Sequence, residues 1–206
     1  MQKHYAINIG RQLGSGGREI GEKLASRLGI AFYDREIITL AAKQSGLCSE
    51  FFERADERAH LSAMRGILHY RFPFTQYGDN CLSNETLFQI QSDVIRELVN
   101  DHNCLFVGRC ADYILRNHPF CVNIFISANR EDRVKRIAEK MNVNPANAAD
   151  IIERADKKRA EYYNYYTNKT WGTADSYHLC VNSSVLGIER SVEFIDTFVR
   201  AKLQIF

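Results

Sequence analysis

The residues of this chain best equipped for chemistry are glycines and cations rather than nucleophiles. Gly14-Ser15-Gly16-Gly17-Arg18-Glu19 follows a short apolar run, Ala6 to Ile9, and a further glycine, Gly10. After it, Ile20, Leu24 and Leu28 recur every four residues, as on one helix face. Strand, glycine-rich turn, helix is an arrangement that holds phosphate: backbone N–H groups form a concave anion site and the helix N-terminus adds its dipole. Arg18 stands where the helix begins and offers a mobile positive charge.

Two phosphate motifs can be laid over this stretch, and neither fits by identity. The dinucleotide pattern G-x-G-x-x-G needs glycine where Glu19 stands, although Asp34 supplies the acid such folds carry about twenty residues on. The pattern G-x-x-x-x-G-K-[ST] can be aligned through Leu28-Gly29 and the strand after it. Its first glycine then falls on Arg11, its last on Gly16, its lysine on Gly17 and its hydroxyl residue near Arg18 or Glu19. A tight turn with no ligand is the plainer reading of the same glycines.

Further charged residues end or follow apolar runs. Gly29 to Asp34 reads as a second strand with a polar end, and Arg35 opens the next helix; Asp34 is either a ligand at the sheet edge or an N-cap. Cys104 to Arg109 reads as a strand that brings Arg109 to the same edge, where a guanidinium suits a phosphate. After a strand from Cys121, a basic helix carries Arg133, and a long helix over 144–166 carries Arg154, Asp156, Lys158 and Arg159. Two basic helices form either a clamp over polyphosphate or solvated faces laced with i,i+4 ion pairs. The tyrosines at 162, 163, 165 and 166 with Trp171 either stack on a base or pack the helix down.

The elements that position these groups alternate. Ser83 is placed to cap a helix with Leu87, Ile90, Val94, Ile95 and Leu98 as its core stripe, and 176–182 supplies a fifth strand before an apolar C-terminal helix. Strands alternating with helices predict a three-layer α/β/α domain with a five-stranded parallel sheet covered on both faces. Residues 47–82, aromatic and without a clean period, read equally as a substrate lid or a packed surface loop.

With 27 basic and 25 acidic residues, the chain carries a net charge of +2, which argues against a nucleic acid polymer or a membrane surface as partner. Six cysteines lie scattered without C-x-x-C spacing, which points to reduced thiols in a cytoplasmic protein. No signal pattern or membrane-length apolar run is present.

The chain resembles the cytidylate kinase-like branch of the P-loop nucleoside monophosphate kinases. The likeness rests on Gly14 to Gly21, Phe32-Tyr-Asp-Arg-Glu36, Val107-Gly-Arg109, Glu131-Asp-Arg133-Val-Lys-Arg136, Asp156-Lys-Lys-Arg159-Ala-Glu-Tyr-Tyr163 and Leu179-Cys-Val-Asn-Ser183. It implies a single domain over 1–206, with an acceptor-side mobile region at about 46–82 and a helical lid at about 130–170. The implied reaction moves the γ-phosphoryl group of ATP, with Mg2+, to a nucleoside monophosphate such as CMP or dCMP. Carried over by position, Gly14, Ser15, Gly16, Gly17, Arg18, Glu19 and Arg133 would bind the ATP phosphates, and Ser15 would reach the metal. Asp34, Arg35, Arg109 and Asp156 would bind the acceptor, and Arg18, Arg109, Arg154 and Arg159 would act in catalysis. A homodimer is left open. The parent family has lysine where this chain has Gly17, so Arg18 is expected to replace its charge. A non-catalytic nucleotide or phosphate sensor on the same fold is the alternative, and a dinucleotide-dependent oxidoreductase a distant third.

Overall fold

The computed structural model describes residues 4–34 and 84–205. They comprise β1 (Ala6–Arg11), α1 (Gly17–Leu28), β2 (Ala31–Tyr33), α2 (Asn84–Asp101), β3 (Cys104–Val107), α3 (Ala111–Ile114) and β4 (Cys121–Ser127). After these come α4 (Arg130–Met141), α5 (Pro145–Thr167), a 3-10 turn (Ala174–Ser176), β5 (Leu179–Asn182) and α6 (Ser183–Leu203). The strands form a five-stranded parallel sheet in the order β2-β3-β1-β4-β5, as the alternating sequence predicts.

Period-two alternation within the strands sends apolar side chains to both faces, which a parallel sheet under helices requires. Ile7, Ile9, Leu105, Val107, Val122, Ile124 and Ile126 face α1 and α6, and pack on Ile20, Leu24, Val192, Ile195 and Val199. Ala6, Cys104, Phe106 and Cys121 face the other way, onto Ile90, Val94, Ile95 and Leu98 of α2 and onto α3. Of the stripes expected for these helices, Ile20, Leu24, Ile90, Val94, Ile95 and Leu98 are buried and Leu28 and Leu87 partly so; Phe194 of α6, by contrast, stays half exposed. Asp196, also in α6, is buried between Arg27 and Arg200 at 3.0 and 2.9 Å, an ion-pair tie from α6 to α1.

Helices α4 and α5 carry a small core of their own. Ile137, Ala148 and Ile152 are buried with Val134, Val143 and Ile151, and Leu13, from the turn after β1, packs among them. Asn144 caps α5 by accepting from the Asn147 N–H at 2.8 Å, with Pro145 at the first helical position, so the helix starts where its sequence predicts.

Strand boundaries differ from the sequence reading: β2 is shorter at both ends than 29–34, and β5 starts at Leu179 rather than 176. Strand β3 stops at Val107 rather than Arg109, because Gly108, Arg109 and Cys110 take φ of 83°, 60° and 54° in succession. The short α3 that follows lies too close to this turn to show a helical period. Arg35, Ser83, Cys48, Cys81 and the region expected to be mobile at 46–82 lie outside the described residues. Cys104, Cys110, Cys121 and Cys180 are free thiols, and no described helix is long and apolar enough to cross a membrane.

Candidate functional site

Strand order places a crevice at the carboxyl ends of β1 and β3. The chain leaves β1 into α1 on one face of the sheet and leaves β3 into α3 on the other. Such a divergence is where open α/β sheets bind ligands. The register aligns Ile9 with Val107, so the turns after the two strands open side by side. Between them lies a cavity of about 480 Å3, lined by Arg11, Gly108, Arg109, Asp112, Lys158, Arg159, Tyr162 and Tyr163 among others.

The glycine loop starts from Arg11, in the wall of this cavity, and is held from several sides. Gly14 and Gly16 adopt φ of 80° and 76°, the left-handed region that glycine enters without strain. Gly16 is the N-cap of α1, so the N–H groups without an intrahelical partner begin at Gly17. Ser15 is fully buried; its hydroxyl donates to the Gln12 carbonyl at 2.8 Å and accepts from the Gly17 N–H at 3.3 Å. Ser183, at the start of α6, donates to the Ser15 carbonyl at 2.6 Å.

From the other side, Asp156 of α5 accepts from the Leu13 N–H at 2.8 Å, and Arg133 of α4 donates to the Leu13 carbonyl at the same distance. Arg133 and Asp156 also form a buried ion pair with each other. Arg136 donates to the Gly14 carbonyl at 3.0 Å, and Arg159 to the Arg11 carbonyl at 3.2 Å. Asp156, expected beside the acceptor, thus lies against the loop with Arg133. Arg136 was absent from the expected site, although its three-residue spacing from Arg133 signals a shared helix face.

The other expected residues divide. Arg18 turns to Asp34 at 2.9 Å, to Glu22 at 3.2 Å, and over the Phe32 ring at 5.7 Å. Asp34 itself is buried at the end of β2. Glu19 pairs with Lys23 at 3.3 Å on the exposed side of α1. Arg109 lies in the cavity wall, 3.4 Å from Gln91 Oε1 and 5.7 Å from the centre of the Tyr162 ring. Arg154 is exposed on α5 and donates to the Asp150 carbonyl one turn back, at 3.2 Å. The structure therefore brings Arg109 and Arg159 into one cavity with Arg11, where the glycine loop begins, and leaves Arg154 on the outer surface.

Against this geometry the comparisons with known proteins are consistent. Residues 6–185 match the cytidylate kinase-like family. The chain belongs to that family. A solved protein of Eubacterium ventriosum, described as uncharacterized, shares 23% identity over 96% of this chain and 99% of its own, with a TM-score of 0.74. Shikimate kinase from Bacteroides thetaiotaomicron superposes with a TM-score of 0.53 at 12% identity, covering 98% of this chain and 99% of its own. Shikimate kinase from Acinetobacter baumannii, solved with shikimate, gives 0.53 at 13% identity, covering 97% and 95%. At these identities the structures share the fold, a P-loop kinase fold. No curated protein matches the chain significantly.

In this member of the cytidylate kinase-like family the cavity walls combine cations with protonated hydroxyls. Burial pushes the Asp112 carboxyl above its ordinary value, partly offset by the hydrogen bond that Tyr163 donates to it at 2.7 Å. Burial and the neighbouring Asp112 raise the Tyr163 phenol, and burial raises Tyr177, so both remain neutral donors. The Cys110 thiol is pushed up to about 12 by burial, with the Asp112 charge adding and Arg109 opposing. That thiol is no nucleophile at neutral pH.

Magnesium, implied by the family resemblance, finds no ligand in Ser15. The hydroxyl expected to reach it is fully buried and engaged at both its donor and an acceptor position by the loop backbone. Among the described residues no group of three His, Cys, Asp or Glu is arranged to hold a metal. Mg2+ is commonly carried by phosphate oxygens and water with few protein ligands.

Proposed function

We propose that this protein is a phosphotransferase that moves the γ-phosphoryl group of ATP to a nucleoside monophosphate of the CMP or dCMP kind. The observation that carries the reading is the cavity between the β1 and β3 ends, which has Gly10 and Arg11, where β1 runs into the glycine loop, in its wall together with Arg109, Lys158 and Arg159. An anionic acceptor in that cavity would sit beside a phosphate donor on the loop. An acceptor oxygen bonds to the γ-phosphorus as the bond from that phosphorus to the β–γ bridging oxygen breaks, and the electron pair leaves with ADP. A doubly ionised phosphate acceptor needs no base. What the protein supplies is positioning and neutralisation of charge, for which arginines at the loop and cavity are the fitting residues. Helices α4 and α5 serve as a lid that excludes water, and Tyr162 offers a face for the base. The free buried thiols suit a reducing cytoplasm.

A second reading, a nucleotide or phosphate sensor without turnover, is favoured by Gly17 in the lysine position and by the engaged hydroxyl of Ser15. Phosphoryl transfer from Mg-ATP to CMP, dCMP, UMP, AMP and shikimate separates the two, with Arg109→Ala and Arg159→Ala as controls. Shikimate belongs in the panel because shikimate kinases share the fold. Product that collapses in both variants supports the kinase. ATP binding by calorimetry without product from any acceptor favours the sensor.

A further inference from the structure

The cation missing from position 17 has a counterpart at the other end of the loop. In the phosphate-loop pattern, glycine stands where this chain has Arg11 and lysine where it has Gly17, so the two residue types are exchanged. The exchange is also spatial. A Cβ built on Gly17 would lie 2.6 Å from Arg11 Cβ and 3.1 Å from Arg11 Cγ, too close for either to stay in place. The stem of Arg11 thus runs through the space a side chain at 17 would need.

The far end of Arg11 lies over the β3 turn. Its Nη1 lies 2.2 Å from where a Cβ on Gly108 would be, so a side chain there would displace the guanidinium from this position. Gly108 also has a φ of 83°, which favours glycine independently. Arg159 fixes the Arg11 carbonyl at 3.2 Å, and Arg11 lines the same cavity as Arg109 and Lys158. Two glycines, 17 and 108, therefore leave a channel that the Arg11 side chain fills from loop to cavity.

We propose that Arg11 is the phosphate-loop cation of this protein, reaching from the end of β1 to the phosphoryl group between loop and cavity in place of a lysine at 17. The proposal rests on the phosphotransferase reading for its catalytic half only. A guanidinium in that role grips two phosphate oxygens at once and keeps its charge at any physiological pH. Arg18, the cation expected from sequence to compensate, is turned to Asp34 and Glu22 instead.

The test uses the full chain in three forms: Arg11→Gln, which keeps a stem and loses the charge, Arg11→Lys, and the exchanged pair Arg11→Gly with Gly17→Lys. Calorimetry with ATP, ADP and AMP reads the contact without needing turnover, and thermal melting checks the fold. Wild type should bind ATP at least tenfold more tightly than AMP. Arg11→Gln should abolish that preference with an unchanged melting curve, and the exchanged pair should restore it. With turnover, kcat should fall roughly 10²–10³ in Arg11→Gln, the size expected for removing one charge-stabilising group. An Arg11→Gln protein that keeps its triphosphate preference and its kcat within threefold overturns the proposal. So does an exchanged pair that folds and recovers neither. If Arg11→Gln does not fold, Arg11→Lys decides: retained triphosphate preference supports the proposal, and its loss overturns it. Absence of turnover in wild type sinks the kinase reading alone, since the triphosphate preference still reports on Arg11.

Discussion

The carboxylate of Asp156 accepts a hydrogen bond from the Leu13 N–H at 2.8 Å, across a sequence separation of 143. Its second oxygen pairs with Arg133, which is itself buried and bonded to the Leu13 carbonyl. One acid thus fixes a phosphate loop that has little side-chain bulk to fix itself.

Replacing Asp156 with alanine should therefore be costly. It leaves the Arg133 guanidinium buried without its carboxylate, a change that commonly costs about 3–5 kcal/mol. Urea unfolding is the measurement, and a loss under about 1 kcal/mol would contradict this account. ATP affinity should fall in the same variant, since the loop loses one of its anchors.

Gly14→Ala tests the loop from its backbone. The new Cβ would lie 2.8 Å from the Arg133 carbonyl oxygen, at a φ of 80°. Backbone strain of this kind costs on the order of 1–3 kcal/mol. The variant should melt earlier and bind ATP more weakly, whereas Gly29→Ala, with open space around its Cβ but a φ of 64°, should lose stability and keep nucleotide binding.

Asp112 sets a pH dependence of stability. Its folded pKa is raised above the ordinary 3.8, so the folded state holds its proton more tightly than the unfolded one. Stability from this group is full below 3.8 and is lost as pH rises through the raised value. Asp112→Asn keeps an acceptor for Tyr163 and removes the buried charge. It should match wild type in urea unfolding at pH 3 and exceed it at pH 7, by about 1.4 kcal/mol for each unit of the shift. A variant weaker than wild type at pH 7 would show that the charge itself is needed.

The arginines of α5 should separate by position. Arg159→Ala removes a cavity cation that also holds the Arg11 carbonyl, and should lower phosphoryl transfer roughly 10²-fold. Arg154→Ala removes an exposed side chain bonded to its own helix, and should change transfer less than threefold and stability within about 0.5 kcal/mol. Equal losses in steady-state assays would mean that closure carries Arg154 inward.

Much of the sheet and its covering helices was legible because both are written in periodicity. Ile7, Ile9, Leu105 and Val107 alternate as buried parallel strands must, and Ile20 with Leu24 repeats at helical spacing. The residues gathered at the crevice were legible in part: the ends of apolar runs carry Arg109 and Asp34 to one sheet edge. What periodicity does not encode is where long side chains turn. Arg18 and Arg11 both flank the glycines, and only packing against Gly17 and Gly108 distinguishes them. Asp156 likewise looks like any acid on a charged helix until the fold brings Leu13 beneath it.

Leu13 is part of the glycine loop by sequence and part of the α4–α5 core by packing. The consequence is one of inheritance. A recombination event that exchanged α4 and α5 for those of a distant relative would import a core cut to fit a different loop residue, and would part Leu13 from Asp156 and Arg133 at once. A transplanted hairpin would hold the loop only if it brought along the acid, the arginine and a recess for the Leu13 side chain.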